Sequence, residues 1–154
     1  MLNESPENTA QILNNDLPDG WARAMGVQFL RASPEEVVAQ LDIGQNHRQP
    51  YGILHGGVHC GLIETLASVG AALVALSRGQ TVVGLENHTT FVRAARAGVI
   101  TGTARPIVTG RRTQVWEGTV RDAESRILAT GRVRLMCLEP EVDLAGKKSG
   151  IESA

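Results

Sequence analysis

The chain has 154 residues, which fits one domain with a core of its own. Its hydrophobic share of 42% is ordinary for a globular protein, and its net charge of −1 gives no electrostatic reason to expect nucleic acid or a membrane surface as the main partner. No stretch reaches the roughly 18–20 uninterrupted apolar residues of a membrane span, and the polar, acidic start lacks the pattern of a signal peptide.

The cysteines and histidines indicate neither a disulfide nor a metal site. Cys60 and Cys137 lie far apart in the sequence among apolar neighbours, as expected for small buried side chains in a reducing compartment. No His, Cys or Asp grouping has the spacing of metal ligands, and the sequence assigns no role to His47 or His59. We therefore expect a cytoplasmic protein without a metal or cofactor.

Residues 1–20 are predicted to be an N-terminal segment with a short helix at 9–15, for which Thr9 could serve as the N-cap. Two runs rich in apolar residues follow, and the turn Ser33-Pro34-Glu35 separates them. These runs predict the strands 27–32 and 37–43.

A glycine-rich loop leads into a long apolar run without proline, which predicts a helix from Val58 to about Ser77. Turn residues then separate four runs rich in Val, Thr and Ile. These runs predict long antiparallel strands at 81–92, 98–108, 111–121 and 127–138. The polar residues 139–154 predict a flexible C-terminal tail, which leaves residues 21–138 as the domain.

The order of the predicted elements is two strands, one long helix and four strands. An antiparallel sheet built from them can bury one apolar face, and the long helix is the only element available to cover it. The sequence therefore predicts an α+β fold in which the sheet wraps around one central helix.

The predicted helix carries a single acidic residue, Glu64, among apolar and small residues. At about 100° per residue, bulky side chains gather on one face and small residues share the face of Glu64. The small set is Gly57, Cys60, Gly61, Ser68, Ala71 and Ala75. Glu64 could lie on a solvent-exposed strip of the helix. Its small neighbours favour instead a confined cleft, where a carboxylate is costly unless the site uses it.

The loop before this helix ends in His55-Gly56-Gly57. Free backbone N–H groups at a helix N-terminus favour an oxyanion or a polarised carbonyl, and glycines let a substrate approach them. The tripeptide alone could be an ordinary glycine-rich turn. Its position two turns before Glu64 favours hydrolysis of an activated acyl group, in which the N–H groups polarise the carbonyl and Glu64 attacks it or activates water.

The pattern Gln49…His55-Gly56-Gly57…Glu64…Ser68 resembles the hotdog-fold acyl-CoA thioesterases, in particular the branch that contains 4-hydroxybenzoyl-CoA thioesterase. The similarity extends through residues 92–98 and 110–117 and covers roughly residues 20–138. It implies a hotdog fold, an antiparallel sheet around one long helix. It also implies active sites formed across a homodimer interface, often within a tetramer.

The resemblance further implies a role for each residue of the motif. The Gly56 N–H would bind the thioester oxygen, with Gly57 beside it, and His55 would help to hold the loop and the carbonyl. Glu64 would be the nucleophile or general base. Gln49 would orient the carbonyl or the hydrolytic water, and Ser68 would position that water.

The chain departs from its relatives in one place that concerns the acyl group. Many relatives carry a histidine where this chain has Phe91, while Asn87 and His88 lie slightly earlier. We expect these three residues near the substrate, although for His88 the position favours a strand-surface or interface residue over a substitute ligand. Further candidates for contacts with CoA, several of them arginines that match phosphate in a bidentate manner, are Arg93, Arg96, Arg111, Arg112 and Thr113. An arginine near a turn is also commonly just solvated.

The predicted function is hydrolysis of an acyl-CoA or acyl-carrier-protein thioester, with an aromatic acyl group favoured by the branch resemblance. A hotdog dehydratase is the nearest rival enzyme, but it needs a differently arranged acid pair. A non-catalytic domain that binds acyl-CoA is the alternative from another class, and the confined Glu64 argues against it. The expected partners are an acyl-CoA substrate and further copies of the chain, with no nucleic acid and no membrane.

Overall fold

A computed structural model describes residues 4–16 and 19–148. The helices are α1 (Pro6–Asp16), α2 (Trp21–Ala24) and α3 (Gly56–Leu76), with a 3₁₀ turn at Gln45–His47. The strands are β1 (Gln28–Ala32), β2 (Val37–Asp42), β3 (Thr81–Phe91), β4 (Val99–Thr109), β5 (Thr113–Arg121), β6 (Ile127–Leu138), β7 (Asp143–Leu144) and β8 (Lys147–Lys148).

The first six strands form one antiparallel sheet in the order β1-β2-β4-β5-β6-β3. The strand β3 therefore lies at one edge of the sheet and β1 at the other. Side chains along β5 alternate between buried and accessible, so one face of the sheet packs against α3 and the other is open. This arrangement confirms the predicted α+β hotdog fold.

The helix α3 crosses the inner face of the sheet and lies in the core. Close approach is possible because glycines meet large side chains at several places. The Trp116 ring lies on Gly70, and Ile63 lies on Gly118. By length and composition α3 could cross a membrane, but most of it is buried inside the protein, as in the core helix of many globular domains.

The N-terminal helix α1 packs against β1, and Ala10 and Leu13 join the hydrophobic core. The Asn14 side chain pairs with the backbone of Phe29, donating to its carbonyl at 2.8 Å and accepting from its N–H at 2.8 Å. The predicted cap was wrong, because the helix begins earlier. Thr9 is buried within it, and the Ser5 hydroxyl accepts the Asn8 N–H at 3.2 Å.

The segment after β6 contains a short hairpin of β7 and β8, in a region where the sequence predicts only a flexible tail. The rest of that predicted tail, residues 149–154, lies outside the described residues. Cys137 is buried and Cys60 half-buried, and neither forms a disulfide.

Candidate active site

The N–H of Gly56, at the start of α3, has no hydrogen-bond acceptor among the described residues. His55 is the N-cap, and its Nδ1 accepts the Gly57 N–H at 2.8 Å. The His55 carbonyl accepts the Val58 N–H at 2.9 Å. The Gly56 N–H lies at the positive end of the helix dipole, where a developing negative charge is stabilised.

His47 fixes the loop that leads to this helix end. Its Nδ1 accepts the Gly44 N–H at 2.8 Å, so in the neutral ring Nε2 carries the proton and donates to the Met25 carbonyl, 3.1 Å away. The His47 carbonyl accepts the His55 N–H at 2.8 Å. His47, to which the sequence assigned no role, thus braces the loop against the segment before β1.

A cavity of about 510 Å³ opens at the same helix end. It brings together six of the residues predicted from the sequence, Gln49, His55, Gly56, Gly57, Phe91 and Arg93. Its other lining residues are Ile53, Leu54, His59, Val92 and Ala94. Arg96 is not among them, because its guanidinium donates to the Tyr51 carbonyl at 3.0 Å and fastens the loop.

His59 is a part of this cavity that sequence reasoning missed. Its side chain is 3% exposed, its Nδ1 has no hydrogen-bond partner, and its ring centroid lies 6.0 Å from that of Phe91. Burial lowers the pKa of His59 to about 4, so the ring is neutral at pH 7. Its spacing from Gly56 was the available signal, because residues three apart share a helix face.

Glu64 is half-buried between α3 and β3. Its Oε2 accepts a hydrogen bond from Asn87 Nδ2 at 2.9 Å, and its Oε1 lies 3.5 Å from the Ser68 hydroxyl. A Cβ added at Gly84 would lie 2.6 Å from Oε1, so this glycine provides the space for the carboxylate. The predicted proximity of Glu64 to Ser68 is therefore observed.

One chain does not bring Glu64 to the cavity. Gly56 and Glu64 are eight residues apart on the same helix, which at 1.5 Å per residue separates them by roughly 12 Å along the axis. A single thioester carbonyl cannot contact both groups of one chain at that separation.

The structure does not bring His88 to Glu64 either. Side chains alternate along β3, so Asn87 and Phe91 face α3 while His88 faces the open side of the sheet. There His88 lines a shallow cavity with Thr90, Glu117 and Arg132, among others. The expectation of a substrate contact for His88 therefore has no support within one chain.

The predicted CoA contacts at Arg111, Arg112 and Thr113 lie on the hairpin between β4 and β5. Arg111 lines a cavity of about 400 Å³ with Arg78, Gln80, Thr109 and Glu139. Gln80 precedes the start of β3, whereas Phe91 ends that strand. Ten residue steps in a strand span roughly 33 Å, so these residues and the Gly56 cavity lie at opposite ends of one chain.

Among residues 4–16 and 19–148, no group of three or more His, Cys, Asp or Glu side chains could hold a metal ion.

The fold is a hotdog fold with an unpartnered N–H at the start of its central helix and a carboxylate further along that helix, an arrangement compatible with hydrolysis of an acyl group. Residues 51–129 match the family model of the thioesterase superfamily. A Mycobacterium tuberculosis protein named as an esterase is 40% identical over 140 residues, which is 90% of this chain and 98% of that protein. The 1,4-dihydroxy-2-naphthoyl-CoA hydrolase of Listeria monocytogenes is 34% identical over 113 residues, which is 73% of this chain and 91% of that enzyme.

The solved structure of a Haemophilus influenzae thioesterase superimposes with a TM-score of 0.77 at 31% identity and covers 90% of this chain and 96% of its own. The chain therefore belongs to the thioesterase superfamily, and it is a thioester hydrolase. This result disfavours the alternative of a non-catalytic acyl-CoA-binding domain.

Proposed function

We propose that this chain hydrolyses a coenzyme A or carrier-protein thioester to the free acid and the thiol. The observation that carries the proposal is the unpartnered Gly56 N–H. Gly56 lines one cavity together with His59 and Phe91. The cavity suits an acyl group because much of its lining is apolar, with Ile53, Leu54 and Phe91 among its residues. An aromatic acyl group is favoured, and the dihydroxynaphthoyl-CoA hydrolase from Listeria is a relative with such a substrate.

The reaction requires a second copy of the chain, because Glu64 lies too far from the Gly56 of its own chain. The edge strand β3 has one side that pairs with no other strand of the described sheet. Two large apolar residues of this strand, Leu85 and Phe91, are 47% and 56% exposed. If two copies pair antiparallel along β3, the Phe91 end of one strand meets the Gly84 end of the other. Since Gly84 lies against Glu64, this pairing carries the partner's Glu64 toward the Gly56 cavity.

The same pairing places the predicted CoA contacts near the substrate. The hairpin with Arg111, Arg112 and Thr113 neighbours the start of β3, and antiparallel pairing moves the start of one β3 beside the end of the other. The partner's arginines, together with Arg93 at the cavity, would then bind the phosphates of CoA. Two such dimers would form the tetramer that the family resemblance implies, in a cytoplasmic enzyme.

In the proposed mechanism the thioester oxygen accepts the Gly56 N–H, and the helix dipole stabilises the negative charge that develops there. The partner's Glu64 either attacks the carbonyl carbon, giving an anhydride that water then hydrolyses, or takes a proton from the water that attacks. In both routes the carbon–sulfur bond breaks and the thiolate leaves without a strong acid. Gln49 would orient the carbonyl or the water, and Ser68 would position the water.

A thiol-release assay with a panel of aliphatic and aromatic acyl-CoAs tests the proposal. We expect Glu64→Ala to lower kcat by about 10²- to 10⁴-fold, the range for a positioned acid–base group. Glu86→Ala is the control of the same residue type, because Glu86 on β3 pairs at 3.4 Å with Arg134 and has a side chain that is 59% exposed. Equal thiol release by the wild type and Glu64→Ala would remove Glu64 from the mechanism.

A further inference from the structure

Asn87 uses all of its side-chain hydrogen-bonding groups within the protein. Its Nδ2 donates to Glu64 Oε2 at 2.9 Å and to the Cys60 carbonyl at 3.1 Å. Its Oδ1 accepts the Thr89 hydroxyl at 2.7 Å. The three contacts also fix which end of the amide faces Glu64, because a carboxylate and a carbonyl can only accept, so the amide nitrogen must lie on their side.

The Cys60 contact ties this amide to the same helix that carries Glu64. Cys60 lies one turn before Glu64 on α3, so the Asn87 amide spans the backbone of one turn and the carboxylate of the next. Thr89 is two residues from Asn87 on β3, on the same face of the strand, and its hydroxyl holds the amide from behind. Hydrogen bonds therefore connect three side chains in series, from Thr89 through Asn87 to the carboxylate of Glu64.

We propose that Asn87, held by Thr89, is a positioning residue that fixes the Glu64 carboxylate for the reaction. Asn87 binds Oε2 and leaves Oε1 as the reacting oxygen, which makes one long contact with Ser68 at 3.5 Å. Gly84 lies against Oε1 and limits its movement. This assignment differs from the substrate contact that the sequence suggested for Asn87, because both N–H groups of the amide are already used within the chain.

The physical reason is the freedom of a glutamate side chain. An unrestrained Glu rotates about three bonds and loses that freedom in each catalytic event, whereas a carboxylate fixed in advance reacts from one geometry. A hydrogen bond to a charged group is stronger than one between neutral groups. The effect therefore belongs to the chemical step and not to substrate binding.

The inference rests on the proposed function, and the test separates the two. In the acyl-CoA assay we expect Asn87→Ala to lower kcat by about 10- to 100-fold with KM nearly unchanged. Asn87→Asp, which has nearly the same shape but brings a negative charge to Glu64, should lower kcat at least as much. Substrate binding by Asn87 would instead raise KM.

Variants of Thr89 test whether its hydrogen bond to Asn87 matters for the reaction. They also keep the inference testable if the Asn87 variants fail to fold, which circular dichroism would show. Thr89→Val removes the hydroxyl at nearly constant shape and should lower kcat by about 3- to 10-fold. Thr89→Ser keeps the hydroxyl and should restore kcat. The control Thr90→Val changes the same residue type on the open face of β3 and should leave kcat unchanged.

Three results would overturn the inference. The first is wild-type kcat in folded Asn87→Ala and Thr89→Val, and the second is a change in KM alone. The third is a Thr89→Ser variant as slow as Thr89→Val. If Glu64→Ala itself keeps wild-type activity, the proposed function fails as well, and that outcome is recognised without reference to Asn87.

Discussion

The two glycines that begin α3 differ in what they offer to a substrate. Gly57 donates its N–H to the ring of His55, whereas the Gly56 N–H has no acceptor in the described chain. The Phe91 ring packs on Gly56 so closely that an added Cβ would lie 2.7 Å from it. A side chain at residue 56 would therefore push the Phe91 ring, which is part of the cavity wall, out of its position.

His59 makes the stability of the protein depend on pH. Burial lowers its pKa to about 4 from the ordinary value of 6.5 for histidine, so between these values the unfolded chain binds the proton more readily than the folded one. We therefore expect the free energy of unfolding to rise with pH from 4 to 6.5 and then to level off. The full contribution is about 3 kcal/mol.

Chemical denaturation at several pH values between 4 and 8 measures this effect. The variant His59→Asn removes the titrating ring and should flatten this part of the profile. A slope in His59→Asn equal to that of the wild type would contradict the assignment to His59.

At the scale of elements, the packing of α3 on the sheet depends on glycines that face large rings. A Cβ at Gly70 would lie 2.3 Å from the Trp116 ring, which is fully buried and whose Nε1 donates to Gln114 at 3.0 Å. Gln114 in turn donates to the Ala71 carbonyl at 3.0 Å. These contacts keep α3 and β5 at a fixed separation, because Trp116 and Gln114 are both fully buried.

We expect Gly70→Ala to destabilise the protein by about 1–3 kcal/mol, because the overpacking of Trp116 exceeds the gain in helix propensity of about 1 kcal/mol. Gly61→Ala is the matched control. Its Cβ would lie 2.3 Å from the Trp21 ring, but Trp21 is 40% exposed and can turn away. Thermal denaturation of both variants measures the difference, and an equal or larger loss in Gly61→Ala would contradict this account.

At the scale of the whole molecule, a shared active site predicts complementation between two inactive variants. Glu64→Ala keeps the Gly56 cavity, and Gly56→Ala keeps the carboxylate. Random mixing gives half mixed dimers with one intact site each, so the activity should reach about a quarter of the wild-type value. Co-expression or joint refolding followed by the thiol-release assay measures this recovery, and a mixture as inactive as its parents would contradict the shared site.

The sequence by itself determined the order of the elements and the motif of the site. The composition of the runs that form β1–β6 and of the apolar run that forms α3, together with the turn residues between them, are local properties, and so they predicted six strands and the long helix. The position of His55-Gly56-Gly57 before an apolar run predicted the helix start, although the helix begins at Gly56 and not at Val58. Local patterns were less useful at Thr9, whose cap role went to Ser5 because the tertiary packing buries Thr9.

Only the tertiary structure decided which side chains meet. The register of β3 shifts between Gly84 and Glu86, and such an irregularity changes which residues face the helix. The shift is consistent with the position of Asn87 at Glu64 and of His88 on the open face of the sheet. The alternation of residues in the sequence does not predict which of these two side chains faces the helix. The burial of His59 likewise depends on how α3 lies against the sheet, because contacts between distant segments follow from packing and not from local sequence.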